Sequence, residues 1–268
     1  MVRLLAALAL VALVAGCGAS HQPTTTTAPR QLHQFRVVFP EGFVRTQMAD
    51  RVQAVAKIAH TERHIRPKIS AKTYLAASQP RHIPGFGPKK LPLEGFLFPS
   101  TYFFDRKTTS AALVHAQLQA FQSEWQNVDL SYARSKNLTP YDVLTIASMV
   151  EREAVVPSER KLVAAVIYNR LHAHMPLGID ATIRYGLHVP GTQALLQSEL
   201  DSDNPYNTRK FTGLPPTPIA NPGLASIEAA AHPARVDYLY FVRKPDKRHH
   251  YFTSNYDDFV NHEHLYGY

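Results

Sequence analysis

The chain has 268 residues, 45% of them hydrophobic, enough to bury one large core or two small ones. Its formal net charge is +8, from 29 Lys and Arg against 21 Asp and Glu. The basic residues are scattered, and Arg243-Lys244 with Lys247-Arg248 make only a small local cluster, so no basic stripe marks a nucleic-acid binder. The single cysteine, Cys17, excludes an internal disulfide.

In chain order, Arg3 precedes an apolar run over residues 4–15. The run is shorter than the roughly 20 residues of a bilayer span and has the length of a secretory h-region. It ends in Leu13-Val14-Ala15-Gly16-Cys17, which resembles a bacterial lipoprotein box, in which small residues precede a cysteine that is lipidated. Residues 1–17 are therefore read as a lipoprotein signal with Cys17 as the lipid anchor. The competing readings are a signal peptide cut after a small residue and a short uncleaved anchor. An exported, membrane-held protein meets no nucleic acid; the anionic partners left are membrane and cell-wall polymer. Residues 18–32 contain Thr24-Thr25-Thr26-Thr27 and no periodicity, which predicts a disordered tether.

Residues 33–39 (HQFRVVF) read as a strand broken by Pro40-Glu41-Gly42. Residues 43–58 have helical spacing through Val44, Met48, Val52, Val55 and Ile58. Ser70 is a predicted N-cap for a short helix to residue 77. Residues 79–92 hold four Pro and two Gly and read as a loop. Helices are predicted over 108–128 and 138–153, the latter with Thr139 as N-cap and Pro140 at its first position. A further helix is predicted over 158–172 with Ser158 as its cap. Residues 204–223 form a Pro/Gly-rich ordered loop, residues 226–231 a short helix, and residues 238–242 and 250–252 strands around a basic turn. The end, 256–268, is weakly helical. This layout predicts an α+β fold.

Several stretches resemble the endolytic murein transglycosylase family, also called YceG-like. They are Val38-Phe39-Pro40-Glu41-Gly42, then Leu93-Glu94-Gly95-Phe96-Leu97-Phe98-Pro99-Ser100-Thr101-Tyr102, then the run from Leu144 to Tyr185. Further on come Asn204-Pro205-Tyr206-Asn207-Thr208, Gly213-Leu214-Pro215-Pro216, Ile219-Ala220-Asn221-Pro222-Gly223 and His232-Pro233-Ala234. The resemblance implies a small LysM-like subdomain over 33–88 and a helix-rich catalytic domain over 89–268 that ends in a β-hairpin or sheet. It implies cleavage of the β-1,4 bond between N-acetylmuramic acid and N-acetylglucosamine in nascent glycan strands, leaving 1,6-anhydromuramic ends and limiting strand length. It also implies neighbouring peptidoglycan synthases as partners. The family motif S-[IM]-[VI]-E-[KR]-E falls on Ser148-Met149-Val150-Glu151-Arg152-Glu153, which makes Glu153 the catalytic residue. Ala154 stands where many members have Thr, and Ala181 where they have Pro.

Such chemistry needs one carboxyl, first as acid and then as base, because the sugar's C6 hydroxyl is the nucleophile. The acid must stay protonated near neutrality, so burial must raise its pKa. At about 100° per residue Glu153 lies beside the stripe of Ile146, Met149 and Val150, and Glu151 falls about 160° away. Glu151 is a candidate support residue or ion-pair partner, Asp180 an electrostatic stabiliser or a helix cap. Tyr206, Asn207 and Asn221 are candidate sugar contacts, and Phe96, Phe98, Tyr102 and Tyr185 either stack on sugars or pack the core. No tight metal motif is present among the 14 histidines, and no cofactor or metal is expected. The alternatives are a muramidase-type hydrolase, in which water attacks, and a catalytically inactive wall-binding lipoprotein.

Overall fold

The computed structural model describes residues 34–267; the signal, Cys17 and the tether of 18–32 lie outside the described residues. Phe35–Val38 is strand β1, Arg45–Arg63 helix α1 and Ala71–Ala77 helix α2. Ser70 caps α2 as expected, accepting from the Thr73 N–H at 3.2 Å. Helix α1 runs five residues past Ile58 and stops where His64 turns left-handed at φ 53°.

Arg81–His82 (β2) and Lys90–Leu91 (β3) form a minimal antiparallel ladder within the predicted loop. Thr101–Phe104 is β4, which pairs antiparallel with β1 from Phe35 opposite Phe104 to Val38 opposite Thr101. The strand–helix–helix segment of 33–88 thus shares its sheet with a strand beyond residue 88, giving a β1-α1-α2-β4 unit. Tyr74 of α2 is wholly buried, and its hydroxyl donates to Gln117 Oε1 at 2.6 Å.

Ser110–Trp125 (α3) and the short Ser131–Ser135 (α4) lead to Pro140–Glu153, helix α5. Its start is as predicted: Asp142 N–H donates to Thr139 Oγ1 at 3.2 Å, and Thr139 N–H donates back to Asp142 Oδ2 at 2.8 Å. Every residue from Val143 to Val150 is buried. A helix apolar on all sides belongs in the middle of a core, and α5 packs against three later helices. Its two buried hydroxyls are satisfied: Thr145 donates to Tyr141 O and Ser148 to Thr145 O, while Ser148 Oγ also accepts from Ile219 N–H at 3.0 Å.

A 3-10 turn over Pro157–Glu159 precedes Arg160–His172 (α6), so Ser158 is not the helix cap. Asp180–Leu187 (α7), Gln197–Leu200 (α8) and Leu224–Ala231 (α9) follow. Tyr240–Arg243 (β5) and His250–Thr253 (β6) pair antiparallel, and Tyr256–Tyr266 (α10) closes the chain. The mixed fold is the α+β class expected. Among the described residues, no helix is long and apolar enough to cross a membrane.

Candidate active site

Glu153 is the last residue of α5, whose helix stops at Ala154 in extended conformation. Its side chain is half-buried, partly open yet crowded by protein. Loss of solvent is the largest influence on its carboxyl and raises its pKa above the ordinary 4.5. Asp180 at the start of α7 raises it further by like charge. Arg243 of β5, Arg152 and the Ala181 backbone N–H pull the other way. Burial and a neighbouring carboxylate favour the protonated form, and part of the side chain stays open.

Asp180 is the first residue of α7 rather than its cap, which is Ile179. Its Oδ1 takes the Arg209 Nε–H at 2.6 Å in a half-exposed ion pair. Helix α7 is fixed on its other side by Thr182 Oγ1, which donates to Ile179 O at 2.7 Å and meets Thr208 Oγ1 at 2.9 Å.

Glu151 points elsewhere, as the helical phase predicts. Its Oε2 accepts from Gly223 N–H at 3.1 Å, at the start of α9. Glu41 lies there too, its carboxyl raised by burial and by Glu151 and lowered by Arg160. A Cβ at position 223 would overlap the Glu41 carboxylate, so a side chain there would displace it. Glu151 therefore ties the start of α9 to α5, while Arg152 ties the 40–42 turn to it by donating from Nη1 to Gly42 O at 3.3 Å.

The two asparagines expected to meet sugar are structural instead. Asn221 is 0% exposed. Its Oδ1 accepts from Gly95 and Leu97 N–H, both at 2.9 Å, and its Nδ2 donates to Phe43 O at 2.9 Å and Glu94 Oε1 at 2.6 Å. Two donors and two acceptor positions are all an amide has, so nothing is left for a ligand. Asn207 is equally enclosed: Nδ2 donates to Leu200 O and Ser202 O, and Oδ1 accepts from Arg209 N–H. Tyr206 is half-buried, its hydroxyl 2.8 Å from Thr217 Oγ1 and its ring 5.2 Å from that of Tyr185. Phe96 lies in the core against Phe86, Phe121 and Tyr141, and Tyr102 donates to Phe98 O.

Sequence reasoning missed three features. The first is Glu94, wholly enclosed, whose carboxyl takes Arg45 N–H at 3.0 and 3.2 Å, Tyr185 OH at 3.2 Å and the Asn221 amide. Burial pushes it up to about 7 against the pull of these donors. It was visible in the E-G-F-L-F-P motif, where the aromatic residues drew the attention. The second is the pair Glu159–His250: Oε2 and Nδ1 are 2.7 Å apart, and His250 N–H donates to Oε1 at 2.9 Å. Burial pushes the His250 imidazole down against Glu159's upward pull. The third is Arg243, which the sequence shows only as one of a small basic cluster, and whose charge reaches Glu153 in the fold.

The sequence profile of the YceG-like family matches residues 18–264. An endolytic murein transglycosylase of Bacillus subtilis is 36% identical over 222 residues, covering 79% of this chain and 60% of that one. One of Streptococcus pneumoniae is 33% identical over 249 residues, covering 87% of this chain and 45% of that one. The chain thus spans no more than 60% of the length of these relatives. A YceG-like protein of Listeria monocytogenes has a similar crystal structure, with TM-score 0.64 and 29% identity over 84% of this chain and 74% of that one.

Proposed function

The chain belongs to the YceG-like family, and from that premise we propose that it is a lytic transglycosylase acting inside peptidoglycan glycan strands. The observation that carries this reading is the Glu153 carboxyl: desolvated, raised in pKa, partly open and placed beside Asp180. Glu153 gives its proton to the glycosidic oxygen as the bond from that oxygen to the muramyl anomeric carbon breaks. The C6 hydroxyl of the same muramyl residue attacks that carbon, and its proton passes to the Glu153 carboxylate, which restores the acid. No water is consumed, and the product is a 1,6-anhydro end. Asp180 lies close enough to influence Glu153 and supplies negative charge for the oxocarbenium-like transition state.

Asp180 also gives the hydrolytic alternative its one foothold, since a second carboxylate can serve as base for water. The products separate the two routes. Incubation of the protein with uncrosslinked nascent glycan, followed by mass spectrometry, yields ends lighter by one water for transglycosylation. Reducing ends from the first time point would establish hydrolysis, and intact glycan an inactive binder. Cys17 as lipid anchor and residues 18–32 as tether complete the reading: the β1-α1-α2-β4 unit and the catalytic region stand outside the membrane, beside the synthases that make the strands. Lipid labelling that survives in Cys17→Ala removes the anchor.

A further inference from the structure

Three guanidinium groups lie about α7 and β5, and they are engaged differently. Arg209 is held by Asp180. Arg170 is held by carbonyls: Nε donates to Leu239 O at 2.6 Å and Nη1 to Leu177 O at 2.7 Å, with the guanidinium 5.2 Å over the Tyr240 ring. Arg243 is half-buried, and among the described residues it makes no ion pair and no side-chain hydrogen bond. A guanidinium removed from part of its water gains from a hydrogen-bonded anionic partner; the Glu153 carboxyl is near enough to feel the charge of Arg243 but is not paired with it.

The position of Arg243 is set by rigid structure. Arg243 lies directly opposite His250 in the β5–β6 register. His250 is clamped to Glu159 through both its ring and its backbone N–H, with side-chain exposures of 1% and 9%. Glu159 leads into α6 just after the chain leaves Glu153. One buried hydrogen-bonded pair therefore fixes the strand that carries Arg243 to the 3-10 turn that follows the helix carrying Glu153.

We propose that Arg243 is a substrate-binding residue that receives a carboxylate borne by the muramic acid residue at the scissile bond. The proposal rests on the function given above and adds a recognition element to it. A guanidinium presents two parallel N–H groups that match a carboxylate. Muramic acid offers that group in two ways: on the peptide stem, or on the lactyl side chain itself when the stem is absent. An uncharged glycan offers neither.

The test uses binding, so that it is independent of turnover. Full-length Glu153→Gln and the double variant Glu153→Gln/Arg243→Gln are titrated with fluorescent uncrosslinked glycan oligomers of three kinds: stems with free carboxylates, stems with all carboxylates amidated, and stem-free strands with free lactyl groups. Amidation is expected to weaken binding to Glu153→Gln about tenfold, the loss of one charge-assisted contact, and to leave the double variant unchanged. Arg243→Lys in the same background restores part of the discrimination. Tight binding of stem-free strands assigns the contact to the lactyl group, and weak binding assigns it to the stem; either result supports the proposal. Equal weakening of both variants by amidation overturns it, as does weakening of neither when stem-free strands also bind both variants alike; both results leave the transglycosylase reading intact. Failure of every glycan to bind overturns both.

Discussion

Glu94 and Glu153 are both pushed above the ordinary carboxyl pKa by loss of solvent, yet the protein surrounds them in opposite ways. Glu94 is met by a backbone N–H, a tyrosine hydroxyl and a buried amide, and through them it joins the start of α1, the 219–223 loop and α7. Glu153 is met by the Ala181 N–H and by charges, and part of its side chain stays open. A carboxyl enclosed by donors is a structural joint. A carboxyl desolvated without being enclosed can exchange its proton with a ligand. Glu94 in one motif and Glu153 in the other are therefore suited to different tasks, one to the frame and the other, on the proposed function, to the chemistry.

The largest effect that would break this contrast is on activity. Glu153→Gln is expected to lower glycan cleavage about 10³-fold while the thermal unfolding midpoint stays within a few degrees of the parent. A cooperative loss of fold in that variant would make Glu153 a joint as well. Next is Asn221→Ala, which strands the donors of Gly95 and Leu97 in the core. It is expected to lose about 3 kcal/mol of stability in urea denaturation, and an unchanged midpoint would mean the amide is not the tie described.

Glu94 gives a pH-dependent effect. Its folded pKa of about 7 exceeds the ordinary 4.5. Its contribution to stability is therefore fully present below about 4.5 and lost as pH rises through about 7, a difference of about 3 kcal/mol by linkage. Comparing urea midpoints of the parent and Glu94→Gln between pH 4 and 8 isolates it: the parent falls with rising pH relative to the variant. Parallel curves would contradict the raised value.

The smallest effects tune Glu153 itself, which is faced by Asp180 from α7, Arg243 from β5 and Arg152 from its own helix. Cleavage needs the protonated acid, so activity falls as pH rises through its pKa. Asp180→Asn removes an upward influence and moves that fall to lower pH; Arg243→Gln removes a downward one and moves it to higher pH. Shifts in one common direction would mean that something other than charge on Glu153 is being read.

Local features were legible in the sequence, and long-range ones were not. The cap and proline at Thr139-Pro140, the end of α5 at Glu153 and the divergence of Glu151 from Glu153 all follow from rules acting within one helix. Helix α7 escaped detection because it is eight residues long with only Thr182 and Ile183 buried; it is held by Thr208 and Glu94, which lie far away in sequence. Asn207 and Asn221 were misassigned because an amide that suits a sugar suits stranded backbone groups equally well, and only the positions of those groups decide. Ser158 looked like a cap, but Glu159, fixed by His250, sets the start of α6.

The most direct test of the central contrast is a ¹³C NMR titration of the glutamate side-chain carboxyls, with Glu153 assigned by its disappearance in Glu153→Gln. The account predicts a Glu153 midpoint above 4.5 in the parent that moves down in Asp180→Asn, while the Glu94 midpoint does not follow it. A Glu153 midpoint at or below 4.5, or one indifferent to Asp180, would contradict it.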